Sequence, residues 1–126
     1  MSAATPQRLK FIPAMRIKQG RDFSKVRQEG HRLVLGCLIA NWLALPAGSP
    51  SRLGVVTSGR IGNAVVRNRA RRLMREAFRL HQHQLARPLD LVLVARQSIT
   101  AKAFSGVEAD YLATLRRAGL LKDAAQ

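Results

Sequence analysis

From residue 63 or 64 to about 85, apolar side chains recur at Val66, Ala70, Leu73, Ala77 and Leu80, stepping by four and three. That spacing predicts one long amphipathic helix. At about 100° per residue, Arg71, Arg72, Arg75 and Arg79, with Asn68, fall opposite the stripe, while Arg67 and Arg69 flank its two edges. A helix with one narrow apolar stripe has to bury it against a neighbouring layer. Segments on both sides can supply that layer. Residues 52–58 (RLGVVTS) and 89–95 (LDLVLVA) read as strands, the second with few polar positions, as expected of a central strand.

Upstream, residues 32–45 (RLVLGCLIANWLAL) are also β-like and largely apolar at both parities, which predicts at least partial cover on both faces. The turn 46–50 (PAGSP) then suggests an antiparallel pair with 52–58. A short helix is predicted from Asp22, with Asp22 as its N-cap, Phe23 and Val26 on one face and Gly30 as its stop. A last helix over 105–119 can dock through Val107, Tyr111, Leu112 and Leu115. The predicted order is αββαβα, an α+β sandwich around a small sheet. At 126 residues the chain fits one domain. Residues 1–14, with Pro6, Pro13, Arg8 and Lys10, are expected to form a flexible basic arm. The domain would then span 15–120, with a tail over 121–126.

Charge narrows the function. Twenty-two Lys and Arg against seven Asp and Glu leave a formal net charge of +15, so the expected partner is a polyanion. Arginine heavily outnumbers lysine, which favours RNA over an anionic membrane: guanidinium is planar, matches phosphate oxygens as a fork and stacks on bases. With 47% hydrophobic residues the chain can also fold around a core. Residues 1–10 lack an apolar signal-peptide core, and no apolar run reaches spanning length, so a cytoplasmic location without membrane contact is expected. The single cysteine, Cys37, sits in an apolar run and reads as a small buried hydrophobe.

The densest feature runs from Ser58 to Glu76, with six arginines and no acid before Glu76, at the junction of a strand and a helix. A helix N-terminus presents unpaired N–H groups and partial positive charge, so Arg60 and Arg67 placed there concentrate phosphate-binding capacity. The plainer reading is a solvated basic face. Against it, acids are missing where i,i+4 pairing would relieve the repulsion, and two arginines lie beside the core stripe. Hydrolytic chemistry is sparse. Among Asp22, Glu29, Glu76, Asp90, Glu108, Asp110 and Asp123 only Glu108 and Asp110 are close, and at i,i+2 on a helix they point apart. His81 and His83 read as solvated or helix-end residues, with His31 elsewhere. Catalysis is expected to belong to a partner.

The segment Ser58, Arg60, Gly62 to Val66, Arg67-Asn68-Arg69, Arg71-Arg72 and Arg75-Glu76 resembles the signature of the bacterial ribonuclease P protein component. Weaker similarity reaches upstream to Arg21-Asp22-Phe23, Val26 and Gly30, and downstream to the strand ending near Arg96. The resemblance implies a four-stranded sheet, its fourth strand arising as a split or hairpin within 32–45. It also implies a left-handed crossover of strand 52–58, helix 64–85 and strand 89–95, against the strong general preference for right-handed ones.

Functionally, the resemblance implies a subunit that binds the catalytic RNA and the 5′ leader of precursor tRNA and assists endonucleolytic removal of the leader. The RNA would hold Mg2+ and perform the hydrolysis; no cofactor of the protein's own and no obligate protein partner are expected. RNA contacts would fall to Arg60, Asn63, Arg67, Asn68, Arg69, Arg71, Arg72 and Arg75. A cleft beside the first helix would take the leader, with Phe23 either a stacking residue or plain core. Two positions depart from the pattern: Gly59 stands where many members have lysine, and Arg27 where a second aromatic often follows, so a guanidinium plane would take part of the stacking there. The alternative readings are a ribosomal-type or general structured-RNA-binding protein, which has no reason to carry this run, and a protein-only nuclease, disfavoured by the missing acids.

Overall fold

The apolar run 32–45 folds back on itself in the computed structural model, which describes residues 10–122. Strands β1 (His31–Leu35) and β2 (Leu38–Ala44) form an antiparallel hairpin closed by Gly36 and Cys37. Before them lies α1 (Gly20–Glu29); after them come β3 (Arg52–Val56), α2 (Ala64–His81), β4 (Leu89–Ala95) and α3 (Phe104–Ala118). The α+β class and the expected hairpin are both present. Residues 1–9 of the expected arm and 123–126 of the expected tail lie outside the described residues.

The sheet order is β1-β2-β4-β3. The expected pairing of 32–45 with 52–58 is therefore corrected: β2 and β3 run in opposite directions but are not neighbours, because β4 lies between them. It pairs antiparallel with β2 (Trp42 opposite Leu91) and parallel with β3 (Leu53 opposite Leu91). The physical reason is in β4 itself. Leu89, Leu91, Leu93 and Ala95 are buried in the core under α2 and α3, while Val92 and Val94 belong to the cluster under α1. A strand apolar on both faces gains most at the centre, covered on both sides. The expected partial cover of both faces is met along β2 from Leu38 to Leu43. At the sheet edge, His31, Arg32 and Val34 of β1 are exposed.

Two helix readings also shift. Gln19, not Asp22, is the N-cap of α1; Asp22 sits in the first turn, where a carboxylate suits the helix dipole, 3.7 Å from Arg52 Nη1. Arg52 also grips the buried Asp90 with two hydrogen bonds of 2.8 and 2.7 Å, tying β3 to β4 at one end. Helix α2 stops at His81 and continues as a short 3-10 turn, Gln82–Gln84. Its buried residues are Ala70, Met74, Ala77 and Phe78, with Val66 and Leu73 packed at the margin. Because α2 touches α3 as well as the sheet, its buried arc is wider than the single predicted stripe, and Met74 and Phe78 carry its centre. Helix α3 ends at Gly119 (φ +74°), with the Leu120 N–H donating to the Leu115 carbonyl.

Candidate nucleic-acid interface

The arginine cluster is mounted on a tightly knit turn between β3 and α2. Ser58 Oγ caps the 3-10 turn Gly59–Ile61 by accepting from the Arg60 N–H at 3.3 Å, the Ile61 N–H closes it by donating to the Ser58 carbonyl at 3.1 Å, and the buried Ile61 side chain anchors it. Gly62 then takes φ +149°, a region L-residues rarely adopt, and a Cβ there would lie 3.1 Å from the Val66 side chain. Asn63 caps α2 by accepting from the Val66 N–H at 3.0 Å. Finally, Arg67 Nη1 donates to the Gly62 carbonyl at 2.7 Å, bracing the turn against the first helical turn.

The remaining arginines divide by what their donors already do. Arg69 Nη2 donates to the Lys102 carbonyl at 2.8 Å on the side of α3, and Arg71 Nη1 donates to Thr57 Oγ1 at 2.5 Å on the side of β3. Arg71 also donates to Asn68 Oδ1, so Asn68 orients an arginine from an exposed position. A guanidinium has five N–H donors, and these bonds hold Arg67, Arg69 and Arg71 in place while leaving donors for an anion. Arg60 and Arg72 are exposed and have no side-chain partner among the described residues. Burial, and then the nearby Arg16 and Arg71 charges, push the Arg75 guanidinium below its ordinary value. Arg79 is different: it forms a two-point pair with Glu76 at 2.9 and 2.6 Å, and the run of unmatched charge ends there. In the middle of this surface Val65 is 76% exposed.

Beside the cluster, at the free edge of β3, lies a cleft of about 270 Å³ bounded by Phe11, Arg16, Lys18, Phe23, Gly54 and Arg75. Its near wall runs along β3, with the Ile17 N–H donating to the Leu53 carbonyl at 3.0 Å. Phe23 reaches into it because residue 54 is glycine: a Cβ at Gly54 would fall 2.5 Å from the Phe23 ring. The Phe23 ring lines the cleft and also packs with Ile17, Val26 and Val92. Arg27 is exposed and does not line the cleft. Phe11, Arg16, Lys18, Gly54 and Thr57 were not singled out by sequence reasoning. A lone aromatic among prolines and basic residues is the only local sign of Phe11.

All the described acids but Glu29 are occupied by partners within the chain. Asp22 and Asp90 face Arg52, Glu76 faces Arg79, Glu108 accepts from His81 Nε2 at 2.7 Å, and Asp110 meets Lys102 Nζ at 2.5 Å and the Cys37 N–H at 2.9 Å. Glu108 and Asp110 thus point to different partners. Burial pushes the Asp110 carboxyl up, but the Lys102 ammonium and the Cys37 amide outweigh it and hold the group below its ordinary value. Burial and the neighbouring Asp110 push the Cys37 thiol up to about 12, so it stays protonated and inert at neutral pH. Among the described residues no three His, Cys, Asp or Glu side chains are grouped to hold a metal ion, and no helix is long and apolar enough to cross a membrane.

Comparison with known proteins accounts for this arrangement. The ribonuclease P family profile matches residues 11–119, spanning the cleft, the turn and the whole arginine-bearing helix. The chain belongs to the ribonuclease P protein family. The ribonuclease P protein component of Syntrophomonas wolfei is 39% identical over 105 residues, covering 83% of this chain and 87% of that one. That of Roseiflexus castenholzii is 38% identical over 112 residues, covering 88% and 91%. Among solved structures, the ribonuclease P protein of Staphylococcus aureus superposes with a TM-score of 0.78 at 26% identity, covering 86% of this chain and 98% of that one. The Thermotoga maritima ribonuclease P protein gives 0.72 at 28% identity, covering 81% and 96%. Ribonuclease P proteins serve in tRNA 5′ processing as the protein component of an endoribonuclease, and that is the role of this chain.

Proposed function

We propose that this chain binds the catalytic RNA of ribonuclease P through the turn and front half of α2, and the single-stranded 5′ leader of precursor tRNA through the adjoining cleft. Hydrolysis and the Mg2+ it uses belong to the RNA in this reading. Residues on the protein suit that division: every described carboxylate except Glu29 is paired with a basic side chain of its own chain, so no oxygen cluster is left to hold a hard divalent ion. The observation that carries the proposal is the unmatched arginine surface, Arg60, Arg72 and the Arg16–Arg75–Arg71 group, lying directly beside a cleft with an aromatic floor.

Arg60 and Arg72, with spare donors on Arg67, Arg69 and Arg71, supply phosphate contacts, and Asn63 and Asn68 serve by shaping the turn and orienting Arg71. The complex works in the cytoplasm. The test is reconstitution of the purified protein with a bacterial ribonuclease P RNA and a 5′-extended precursor tRNA at low magnesium. Leader release that neither component gives alone is expected. An RNA whose cleavage is indifferent to the bound protein would overturn the proposal and leave a general RNA-binding role.

A further inference from the structure

Phe11 occupies a telling position. Its ring meets Phe78 of α2 edge to face, with centroids 5.7 Å apart and planes at 78°, yet it is only half-buried and its other surroundings are the cleft. The Arg16 guanidinium lies over the same ring, 5.4 Å from its centroid. The Lys10 carbonyl, one residue before Phe11, accepts from Gln82 Nε2 at 2.8 Å, so the segment is pinned to the end of α2. We propose that Phe11, with Arg16 over its ring, is a second stacking surface of the cleft, and that with Phe23 it holds one nucleotide of the single-stranded leader.

A plain hydrophobic plug over Phe78 would need none of the charge that surrounds Phe11. Three cations, Arg16, Lys18 and Arg75, line the cleft with the two rings, and no carboxylate does. Like charges gathered around a small cavity repel one another in the free protein and become favourable when a phosphate enters. Rings with cations at their margins are the combination that binds single strands, since stacking takes any base and the cations take the backbone. At about 270 Å³ the cleft suits one nucleotide and is far too small for a duplex. Phe11 stabilises the guanidinium through the ring face, and the guanidinium plane in turn offers a base a flat surface.

This inference rests on the cleft being the leader site, and the experiment separates the two. Holoenzyme is assembled with the parent protein, with Phe11→Leu, which keeps apolar bulk over Phe78, or with Phe11→Tyr, which keeps the ring. Binding is measured for mature tRNA, for 5′-extended precursor, and for precursors made abasic at one leader position at a time. One abasic position is expected to weaken the parent roughly tenfold. Phe11→Leu should lose about the same factor on the intact leader, gain no further loss at that position, and bind mature tRNA as the parent does. Phe11→Tyr should behave like the parent. An unchanged Phe11→Leu, or an equal loss for mature and extended tRNA, would sink the role of Phe11 while leaving the leader site standing. A parent holoenzyme that binds extended and mature tRNA equally would remove the leader site itself, and the inference with it.

Discussion

The two halves of α2 treat charge in opposite ways. From Ala64 to Arg75 the helix carries five arginines and no acid. From Glu76 onward Arg79 is matched by Glu76, and His81 is bonded to Glu108 and Gln84. The rest of the domain resembles the second half: Arg52 lies between Asp22 and Asp90, and Lys102 binds Asp110. Acids are few in this chain, and Asp22, Asp90, Glu108 and Asp110 are placed where they join one part of the fold to another. Their absence from the front of α2 leaves a surface that repels itself until a polyanion arrives. In the proposed role the matched pairs serve stability and the unpartnered Arg60 and Arg72 serve binding, while Arg67, Arg69 and Arg71 also brace the fold, so substitutions in the first two sets should affect one property without the other.

The largest effect should come from breaking a matched pair. Arg52→Ala strands the Asp90 carboxylate in the sheet and should cost about 3 kcal/mol in chemical denaturation. RNA affinity of the folded fraction should stay unchanged. The converse test is the double variant Arg60→Ala/Arg72→Ala, which should weaken binding to the RNA subunit about tenfold and reduce the log–log salt slope by roughly 1.5, with thermal stability held or slightly raised. A large stability loss in that variant would mean the front half is not a separate set. Asn63→Ala tests the mounting of the front half: loss of the cap should cost about 1 kcal/mol, and Asn63→Ser should restore most of it.

The smallest effect is on acid stability. Glu76 and Asp110 are held below their ordinary values, Glu76 chiefly by its hydrogen bond to Arg79 and Asp110 by Lys102 and the Cys37 amide against burial. A depressed carboxyl contributes fully above its unfolded value near about 4 and loses the contribution as pH falls through its folded value. Thermal stability should therefore decline from about pH 5 downward. Lys102→Met should make that decline shallower; an identical acid limb would show that the pair adds nothing.

Local pattern revealed the elements better than their neighbours. Apolar period and turn chemistry were enough for the helices and for strands 52–58 and 89–95, because each depends on a few adjacent residues. The hairpin at Gly36 was hidden from periodicity, since Leu35, Cys37 and Leu38 keep the run apolar through the turn; only the family resemblance suggested it. Strand order is a long-range matter: nothing between Pro46 and Pro50 says that β4 will enter between β2 and β3. The arginines of the site were legible as a cluster, but their separation into braced and free ones depends on Thr57, Gly62 and Lys102, which only the fold brings near. Phe11 was lost in an apparently featureless arm because its packing partner, Phe78, lies far along the chain, and nothing local marks Arg16 as covering that ring.

Gly54 carries a consequence for how this protein can diverge. The Phe23 ring occupies the space a side chain at 54 would take, so residue 54 cannot enlarge while the ring is kept. A lineage that enlarges residue 54 has to shrink residue 23 as well, and a lineage that keeps the ring keeps the glycine. Across descendants of this chain an aromatic ring at 23 should always be inherited together with glycine at 54.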